Sequence, residues 1–190
     1  MTQIAASAPG KLVLTGEYAV LEGAPALVIA IDRRARVTLE DGIDDDYRID
    51  APDLGIIDAH CRVDAEGRAH WFGLDESDAA RLALAAAVIE AAAVDGRPAP
   101  FRARLDTQSF FCGIEGGRAK LGFGSSAALT VALAGAIRAH DHRAALPMDA
   151  LIETHRRAQC GRGSGLDIAA SLTGGAMIYR RHDDIPRSRP

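Results

Sequence analysis

Two lysines stand out in a chain that otherwise uses arginine for positive charge. Of the 22 basic residues in the 190-residue sequence, only Lys11 and Lys120 are lysines. Both lie close to glycines, since Gly10 precedes Lys11 and Gly122 follows two residues after Lys120. A lysine ammonium is a compact point charge on a flexible stem, which a planar guanidinium cannot imitate. The pattern therefore favours a role for both lysines that depends on such a point charge.

After Lys120, a glycine-containing loop, Leu-Gly-Phe-Gly-Ser-Ser, leads into a predicted helix. Glycines allow close approach of a ligand to the backbone, and the first turn of a helix offers free N–H groups and a positive dipole end. Ser125 and Ser126 add hydroxyls for phosphate oxygens or Mg²⁺. We predict a phosphate-binding loop; the alternative is a serine-capped helix after a flexible loop. The sequence contains no Walker-type Gly-x-x-x-x-Gly-Lys-Ser/Thr motif.

Two further segments place charged side chains beside glycines. Near the N-terminus, a turn at Pro9-Gly10 precedes Lys11, and Glu17 follows. By itself this segment is equally typical of a hairpin with a surface ion pair. Later in the chain, the glycine-rich loop 161–165 is followed by Asp167 at the start of a predicted helix. A carboxylate there can accept or orient the proton of a substrate hydroxyl, or it can simply cap the helix.

The hydrophobic pattern predicts mixed strands and helices that position these segments, hence an α+β domain. Predicted strands cover residues 4–14, with a turn at Pro9-Gly10, then 26–39 as one long strand, parts of 47–72, 101–111 and 175–179. Helices are predicted over 77–94, with Asp75 or Ser77 as the cap, and over 125–140, 147–159 and 167–172. Residues 113–124 and 161–165 are predicted to be loops.

Composition and charge are those of an ordinary globular protein. Hydrophobic residues make up 48% of the chain and charged residues 25%, and we assign residues 1–190 to one domain with a frayed tail over 180–190. A net charge of −4 without a basic face argues against a nucleic-acid partner, and no apolar run is long enough for a membrane span. Three widely spaced cysteines suggest neither a disulfide framework nor a zinc site and favour a cytoplasmic location.

The three segments together, in this order, resemble the superfamily of galactokinases, homoserine kinases, mevalonate kinases and phosphomevalonate kinases. The matching stretches here read PGKLVLTGEYAVLEG, LGFGSSAAL and GSGLDIAASLTGG. Two details resemble phosphomevalonate kinases more than mevalonate kinases, which typically carry a histidine where Tyr18 stands and a magnesium-binding glutamate where Arg156 stands. Phe123 and Cys160 depart from the usual pattern, which has leucine and glycine at those places.

The resemblance implies a fold, two cofactors and a set of site residues. The fold would be like domain 2 of ribosomal protein S5, with a left-handed βαβ unit. The cofactors would be ATP and Mg²⁺, with the metal near Ser126 and the nucleotide phosphates on Lys120, Gly122, Gly124, Ser125, Ser126 and Ala127. Asp167 and Lys11 would be the catalytic residues. The implied substrate-binding residues are Glu17, Tyr18, His155, Gln159, Ser164 and Gly165.

The function expected from the resemblance is ATP-dependent phosphorylation of phosphomevalonate to diphosphomevalonate. Three alternatives stay open: a mevalonate kinase or another small-molecule kinase of the superfamily, a non-catalytic ATP-binding module, and an S5-like nucleic-acid module. Members of the superfamily continue into a C-terminal domain with a third glycine-rich segment, which this sequence lacks. We therefore expect residues 1–190 alone to fold without turning over substrate, and a C-terminal domain or a second copy to cover the exposed surface.

Overall fold

The computed structural model describes residues 3–181, so most of the predicted tail over 180–190 lies outside the described residues. Within this range the strands are β1 Gln3–Thr15, β2 Ala26–Asp41, β3 Tyr47–Ala51, β4 Ile56–Val63, β5 Ala69–Phe72, β6 Phe101–Asp106, β7 Phe111–Ile114, β8 Gly117–Lys120 and β9 Ala176–Tyr179. The helices are α1 Glu76–Arg81, α2 Ala83–Ala92, α3 Ser125–His140, α4 Met148–Ala158 and α5 Leu166–Thr173. No helix among residues 3–181 combines the length and apolarity that a membrane span requires.

One large sheet organises the described residues and confirms the α+β prediction. Its strand order is β1-β2-β6-β3-β4-β5, and β9 pairs with the first residues of β2. Among the described strands only β3 and β6 pair in parallel, and the connection between them passes through β4, β5, α1 and α2. A parallel pair needs such a crossover because its strands run the same way. The handedness of this βαβ unit stays a prediction.

The predicted turn at Pro9-Gly10 is wrong, because β1 runs unbroken through both residues. The pairing with β2 shows why: Pro9 opposes Arg34, whereas Gly10 opposes Ile31. This shift of register is a β-bulge, which bends a strand without removing it from its sheet. The presence of proline and glycine in a sequence does not by itself distinguish a β-bulge from a turn, because both structures favour these residues.

Two other element predictions are corrected in the same way. The helix predicted over 77–94 is two helices, since Leu82 lies between α1 and α2 with φ −94° and ψ 8°. Of the two predicted caps, Asp75 is confirmed, because the Asp78 N–H donates to its carboxylate over 2.8 Å, whereas Ser77 lies within α1. The loop predicted over 113–124 is shortened: β7 and β8 form a hairpin through residue 120, and only residues 121–124 connect it to α3.

Helix α3 is the central buried element, as its nearly continuous apolar sequence predicted. It packs against β1, β2, α2 and α5, and side chains around its whole circumference are buried. The same core contains the largest fully buried side chains of the sheet, among them Tyr47, Phe101, Ile49 and Leu39. Because a buried helix cannot shift without opening cavities in this core, the position of its N-terminus is fixed.

We expect Gly10→Ala to destabilise the chain, because a Cβ at this position would lie 2.6 Å from Phe110 Cε1 and 2.6 Å from the Phe123 carbonyl oxygen. Overpacking of this kind typically costs about 1–3 kcal/mol. The measurement is the free energy of unfolding from denaturant titration. Gly135→Ala is the control, since Gly135 lies within α3 and an added Cβ there meets no atom within 4 Å. It should be neutral or stabilising by roughly 0.5–1 kcal/mol, and equal losses in both variants would contradict the prediction.

Candidate active site

The fold brings Lys11, Glu17 and Asp167 together from distant parts of the chain. Lys11 lies on β1, and its Nζ is 3.2 Å from Asp167 Oδ1 at the start of α5 and 3.7 Å from Glu17 Oε1. The lysine is only 8% exposed, whereas both carboxylates reach solvent. The N–H of Lys11 also donates to the Phe123 carbonyl over 2.9 Å. The lysine is thereby tied by its side chain to α5 and by its backbone to the predicted phosphate loop.

Gly124 allows the phosphate loop to lie against this ion pair. It precedes the first residue of α3 and has φ +75°, a left-handed conformation that favours glycine. A Cβ there would be 3.2 Å from Lys11 Cγ and 3.7 Å from Asp167 Oδ2. The free N–H groups of the first turn of α3 therefore begin beside the Lys11–Asp167 pair. A phosphate at a helix N-terminus is stabilised by these N–H groups and by the helix dipole.

A cavity of about 240 Å³ adjoins the first residues of α3. We call it the nucleotide-side cavity. Lys120, Ser125 and Ser126 line one part of it, and its other walls are mainly apolar. Lys120 is exposed at the end of β8, where it pairs with Phe111 on β7. The β7–β8 hairpin therefore fixes Lys120 at the rim of the cavity, whereas a flexible loop would leave its position undefined.

Sequence reasoning missed Asp53, a carboxylate in the wall of the nucleotide-side cavity. Its Oδ2 accepts hydrogen bonds from the backbone N–H (2.7 Å) and the hydroxyl (3.0 Å) of Thr107. Its Oδ1 is buried without a hydrogen-bond partner, and Arg118 Nη1 lies 3.8 Å away. In the sequence, Asp53 follows Pro52 in a turn, so no local signal separates it from a solvated turn residue.

A second cavity of about 160 Å³ lies on the Lys11 side of the loop. We call it the acceptor-side cavity. Every predicted catalytic or substrate-binding residue except Tyr18 lines it, namely Lys11, Glu17, His155, Gln159, Ser164, Gly165 and Asp167. Tyr18 does not line this cavity; its side chain is in solvent and the residue is 81% exposed. It precedes the short 3₁₀ turn Ala19–Glu22, and its role in substrate binding stays a prediction.

The two cavities are separated by a contact between three polar side chains. Ser126 lines the nucleotide-side cavity, whereas His155 and Gln159 line the acceptor-side cavity. His155 Nε2 lies 3.0 Å from Ser126 Oγ, and Gln159 Nε2 donates to the same oxygen over 3.2 Å. Burial lowers the pKa of His155 below its ordinary value, and the nearby charge of Asp167 opposes this shift. The imidazole is therefore neutral at pH 7.

Arg156 and Tyr179 hold the glycine-rich loop that leads to Asp167. Arg156 stands where mevalonate kinases typically carry a magnesium-binding glutamate, and its Nε donates to the Gly163 carbonyl over 3.0 Å. Cys160, at a place where glycine is usual, has φ 54°. The usual glycine is thus explained by a left-handed conformation, which a cysteine adopts at some cost. Tyr179 completes the support, because its hydroxyl donates to the Ser164 carbonyl over 2.9 Å.

A magnesium ion fits this site only as a partner of phosphate groups. Among residues 3–181, no group of three or more His, Cys, Asp or Glu side chains could hold a metal ion. Magnesium, however, is commonly held by one or two protein oxygens together with substrate phosphates and water. The Ser126 hydroxyl at the start of α3 can supply one such oxygen. The donor set is therefore compatible with Mg²⁺ that arrives with a nucleotide.

Comparison with known proteins places the chain in a family. Residues 113–175 match the family described as GHMP kinases N terminal domain. The chain carries a GHMP kinase N-terminal domain. The matched residues include the phosphate loop, His155 and Asp167, whereas Lys11 lies outside them. The superfamily resemblance inferred from the sequence motifs is thereby confirmed.

Individual relatives carry two different activities in their names. The chain is 36% identical to a phosphomevalonate kinase of Streptomyces sp. strain CL190, over 93% of this chain and 49% of that protein. It is 33% identical to a mevalonate kinase of Methanothermobacter thermautotrophicus, over 92% and 49%. A solved structure of Streptococcus pneumoniae phosphomevalonate kinase in complex with phosphomevalonate and AMPPNP is similar in fold, with a TM-score of 0.69 and 24% identity over 95% of this chain and 50% of that one. The GHMP kinase N-terminal domain thus spans about half the length of the curated relatives it matches.

We expect Gly124→Ala to destabilise the chain more than Gly122→Ala. Both glycines have φ +75°, so an alanine brings the same left-handed strain of about 1–2 kcal/mol at either position. At Gly124, however, the new Cβ also crowds Lys11, whereas at Gly122 it meets no atom within 4 Å. The extra cost should be about 1 kcal/mol. The measurement is the free energy of unfolding without ligand, and equal values for the two variants would argue against close packing of the loop on Lys11.

Proposed function

We propose that the protein containing this chain transfers the γ-phosphoryl group of ATP to phosphomevalonate. The observation that carries the proposal is the Lys11–Asp167 pair, which lies directly against the N-terminus of α3. The pair lines one cavity, and Ser125 and Ser126 at the start of α3 line another. Phosphoryl transfer depends mainly on positioning and on electrostatic stabilisation. A helix N-terminus, two lysines and a carboxylate on rigid elements meet those needs.

On the nucleotide side, the phosphates would lie on Gly122, Gly124, Ser125, Ser126 and Ala127, with Lys120 at the rim. The mainly apolar cavity beyond them is suited to a nucleotide base. When bound with the nucleotide, Mg²⁺ would be held by the Ser126 hydroxyl and the phosphates and would neutralise part of their charge. Because these groups are held in place before the ligand arrives, little reorganisation is needed.

On the acceptor side, Lys11 would neutralise charge that develops between acceptor and γ-phosphoryl group. A phosphate acceptor is already largely ionised at neutral pH, so Asp167 would position it rather than remove a proton. The acceptor oxygen would then form a bond to the γ-phosphorus while the bond to ADP breaks. Lys11 is well placed for this role because its own position is held by Asp167, Glu17 and the backbone of the loop.

A mevalonate kinase is the second candidate, and one observation favours it. The acceptor-side cavity presents two carboxylates, Glu17 and Asp167, but only one lysine, while the Arg156 guanidinium is directed at the carbonyl groups of the loop. The charge of a doubly charged phosphate would be only partly compensated in this half of the site, whereas a neutral alcohol needs no such compensation. For that alcohol, Asp167 would accept the hydroxyl proton.

An apolar sheet face supports the proposal that a further domain completes the site. Leu12 and Leu14 on β1 and Ile178 on β9 are exposed, although they lie on strands. Cross-strand register puts Leu12 opposite Ile29 and Ile178 opposite Leu27, so these side chains share the outer surface of β1, β2 and β9. Exposed apolar patches of this kind mark interaction surfaces. We propose that the half of the relatives' length not spanned here supplies this cover and the remaining positive charge.

The deciding experiment measures ADP release by the full-length protein with phosphomevalonate, mevalonate and a panel of other small alcohols and phosphates. Turnover on the order of 1–100 s⁻¹ with phosphomevalonate is expected. A clear preference for mevalonate would replace the proposal by the second candidate, and ATP binding without turnover of any acceptor would indicate a non-catalytic module. Residues 1–190 alone are assayed beside the full-length protein. We expect them to unfold cooperatively but to release no ADP, because one side of the cleft is open to water.

We expect Lys120→Ala and Ser126→Ala each to lower turnover by roughly 10²–10³, the usual loss when one preorganised electrostatic contact is removed. Both residues belong to the nucleotide-side cavity, so the effect should appear with any acceptor. Arg68→Ala is the control, because it also removes one positive charge but lies between β4 and β5, outside both cavities. Near wild-type rates for Lys120→Ala and Ser126→Ala would contradict the assignment of the phosphate loop.

A further inference from the structure

The contact between Ser126, His155 and Gln159 has a role that the family resemblance does not assign. The resemblance implies that His155 and Gln159 bind the acceptor. In the structure, both side chains line the acceptor-side cavity, but one nitrogen of each contacts Ser126: His155 Nε2 and Gln159 Nε2 lie 3.0 and 3.2 Å from Ser126 Oγ. The same two nitrogens lie 3.0 Å from each other, so the three atoms form a closed triangle.

The hydroxyl of Ser126 has one proton and two acceptor positions. Gln159 donates to one of these positions. The His155 Nε2 also lies 3.0 Å from the Gln159 amide nitrogen, a donor, so it is the unprotonated nitrogen of the neutral imidazole and accepts the Ser126 hydroxyl proton. The backbone of Ser126 is fixed as well, because its carbonyl accepts the hydroxyl of Thr130 over 2.9 Å one turn later in α3. The orientation of the Ser126 side chain is therefore determined from α4. One acceptor position of the hydroxyl oxygen remains, and it can take a cation such as Mg²⁺ that arrives with the nucleotide.

Helix α4 is built to supply this contact. His155 lies in the last turn of α4, and Gln159 is the C-cap residue directly after Ala158, four residues later, so both side chains reach the same side of the helix end. His155 is 6% exposed, and a buried polar group at this position is costly unless it is hydrogen-bonded. Arg156, between them in sequence, anchors the same turn to the Gly163 carbonyl. The end of α4 is thus held rigidly against both α3 and the loop that leads to Asp167.

We propose that His155 and Gln159 are positioning residues, which hold the Ser126 hydroxyl so that its remaining acceptor position is oriented toward the metal–nucleotide ligand of the nucleotide-side cavity. They do so from the acceptor-side cavity, so the contact also links the two halves of the site. This inference rests on the proposed kinase function in one respect only, the identity of the group that Ser126 meets. The hydrogen-bonded triangle itself does not depend on it.

A double-mutant cycle in the full-length protein tests the proposal through kinetics. His155→Phe and Gln159→Leu should each lower kcat by about 10–100-fold, as removal of a group that orients a ligand typically does, while the acceptor KM stays nearly constant. In a Ser126→Ala background, either substitution should change kcat by no more than about 2-fold, because the group that they position is gone. Losses that multiply, or a loss confined to the acceptor KM, would overturn the proposal and return both residues to acceptor binding.

Two further measurements keep the outcome clear. His70→Phe is the control, since His70 lies on β5 at the surface and contacts Asp64, away from both cavities. The ¹⁵N NMR signal of His155 Nε2, recorded without ligand at one pH, should shift on Ser126→Ala while that of His70 does not. An unchanged His155 signal would overturn the proposal even if the kinase function holds. If no acceptor is turned over, the proposed function fails, and the NMR result still decides whether the contact exists. If His155→Phe does not fold, Gln159→Leu, a substitution at an exposed position, provides the same kinetic test by itself.

Discussion

The burial of a single lysine is the constraint on which the rest of this structure depends. Lys11 lies under the phosphate loop, with Asp167 on one side and Glu17 on the other. A charge removed from water must be compensated by well-placed opposite charges and hydrogen bonds. For Lys11 that compensation comes from α5 and from the segment after β1, and the loop before α3 must come within van der Waals distance of its stem. Three segments far apart in the chain therefore have to meet at one point.

The scaffold satisfies this constraint by fixing each of the three segments in a different way. Strand β1 is held by its long pairing with β2, in spite of the bulge after Pro9. The loop before α3 is held because α3 is buried in the core around its circumference. The loop before α5 is held by hydrogen bonds to its carbonyl groups from Arg156 and Tyr179. Rigid support of this kind lets a site keep its geometry before a ligand arrives.

The same arrangement divides the site into two unequal cavities. The nucleotide-side cavity is mostly apolar and contains one buried carboxylate oxygen without a hydrogen bond, on Asp53. The acceptor-side cavity is smaller and lined mainly by charged and polar groups around Lys11. Ser126 and its two partners on α4 are the boundary between them. A ligand with an apolar ring and a phosphate chain matches the first cavity, and a small hydrophilic ligand matches the second.

The sequence by itself determined the parts of this protein that depend on local pattern. The buried helix α3, the long strand β2, the Asp75 cap and the three glycine-containing segments are local signals, and the superfamily follows from those segments taken in order. The tertiary structure alone decided what depends on pairing across the chain. It replaced the turn at Pro9-Gly10 by a bulge and part of a loop by the β7–β8 hairpin, because a strand partner makes extended backbone favourable where local residues favour a turn. It also left Tyr18 in solvent, placed Asp53 in a cavity wall and brought His155 and Gln159 into contact with Ser126. The burial and the partner of a side chain depend on elements that are distant in sequence, and its neighbours in the chain do not specify them.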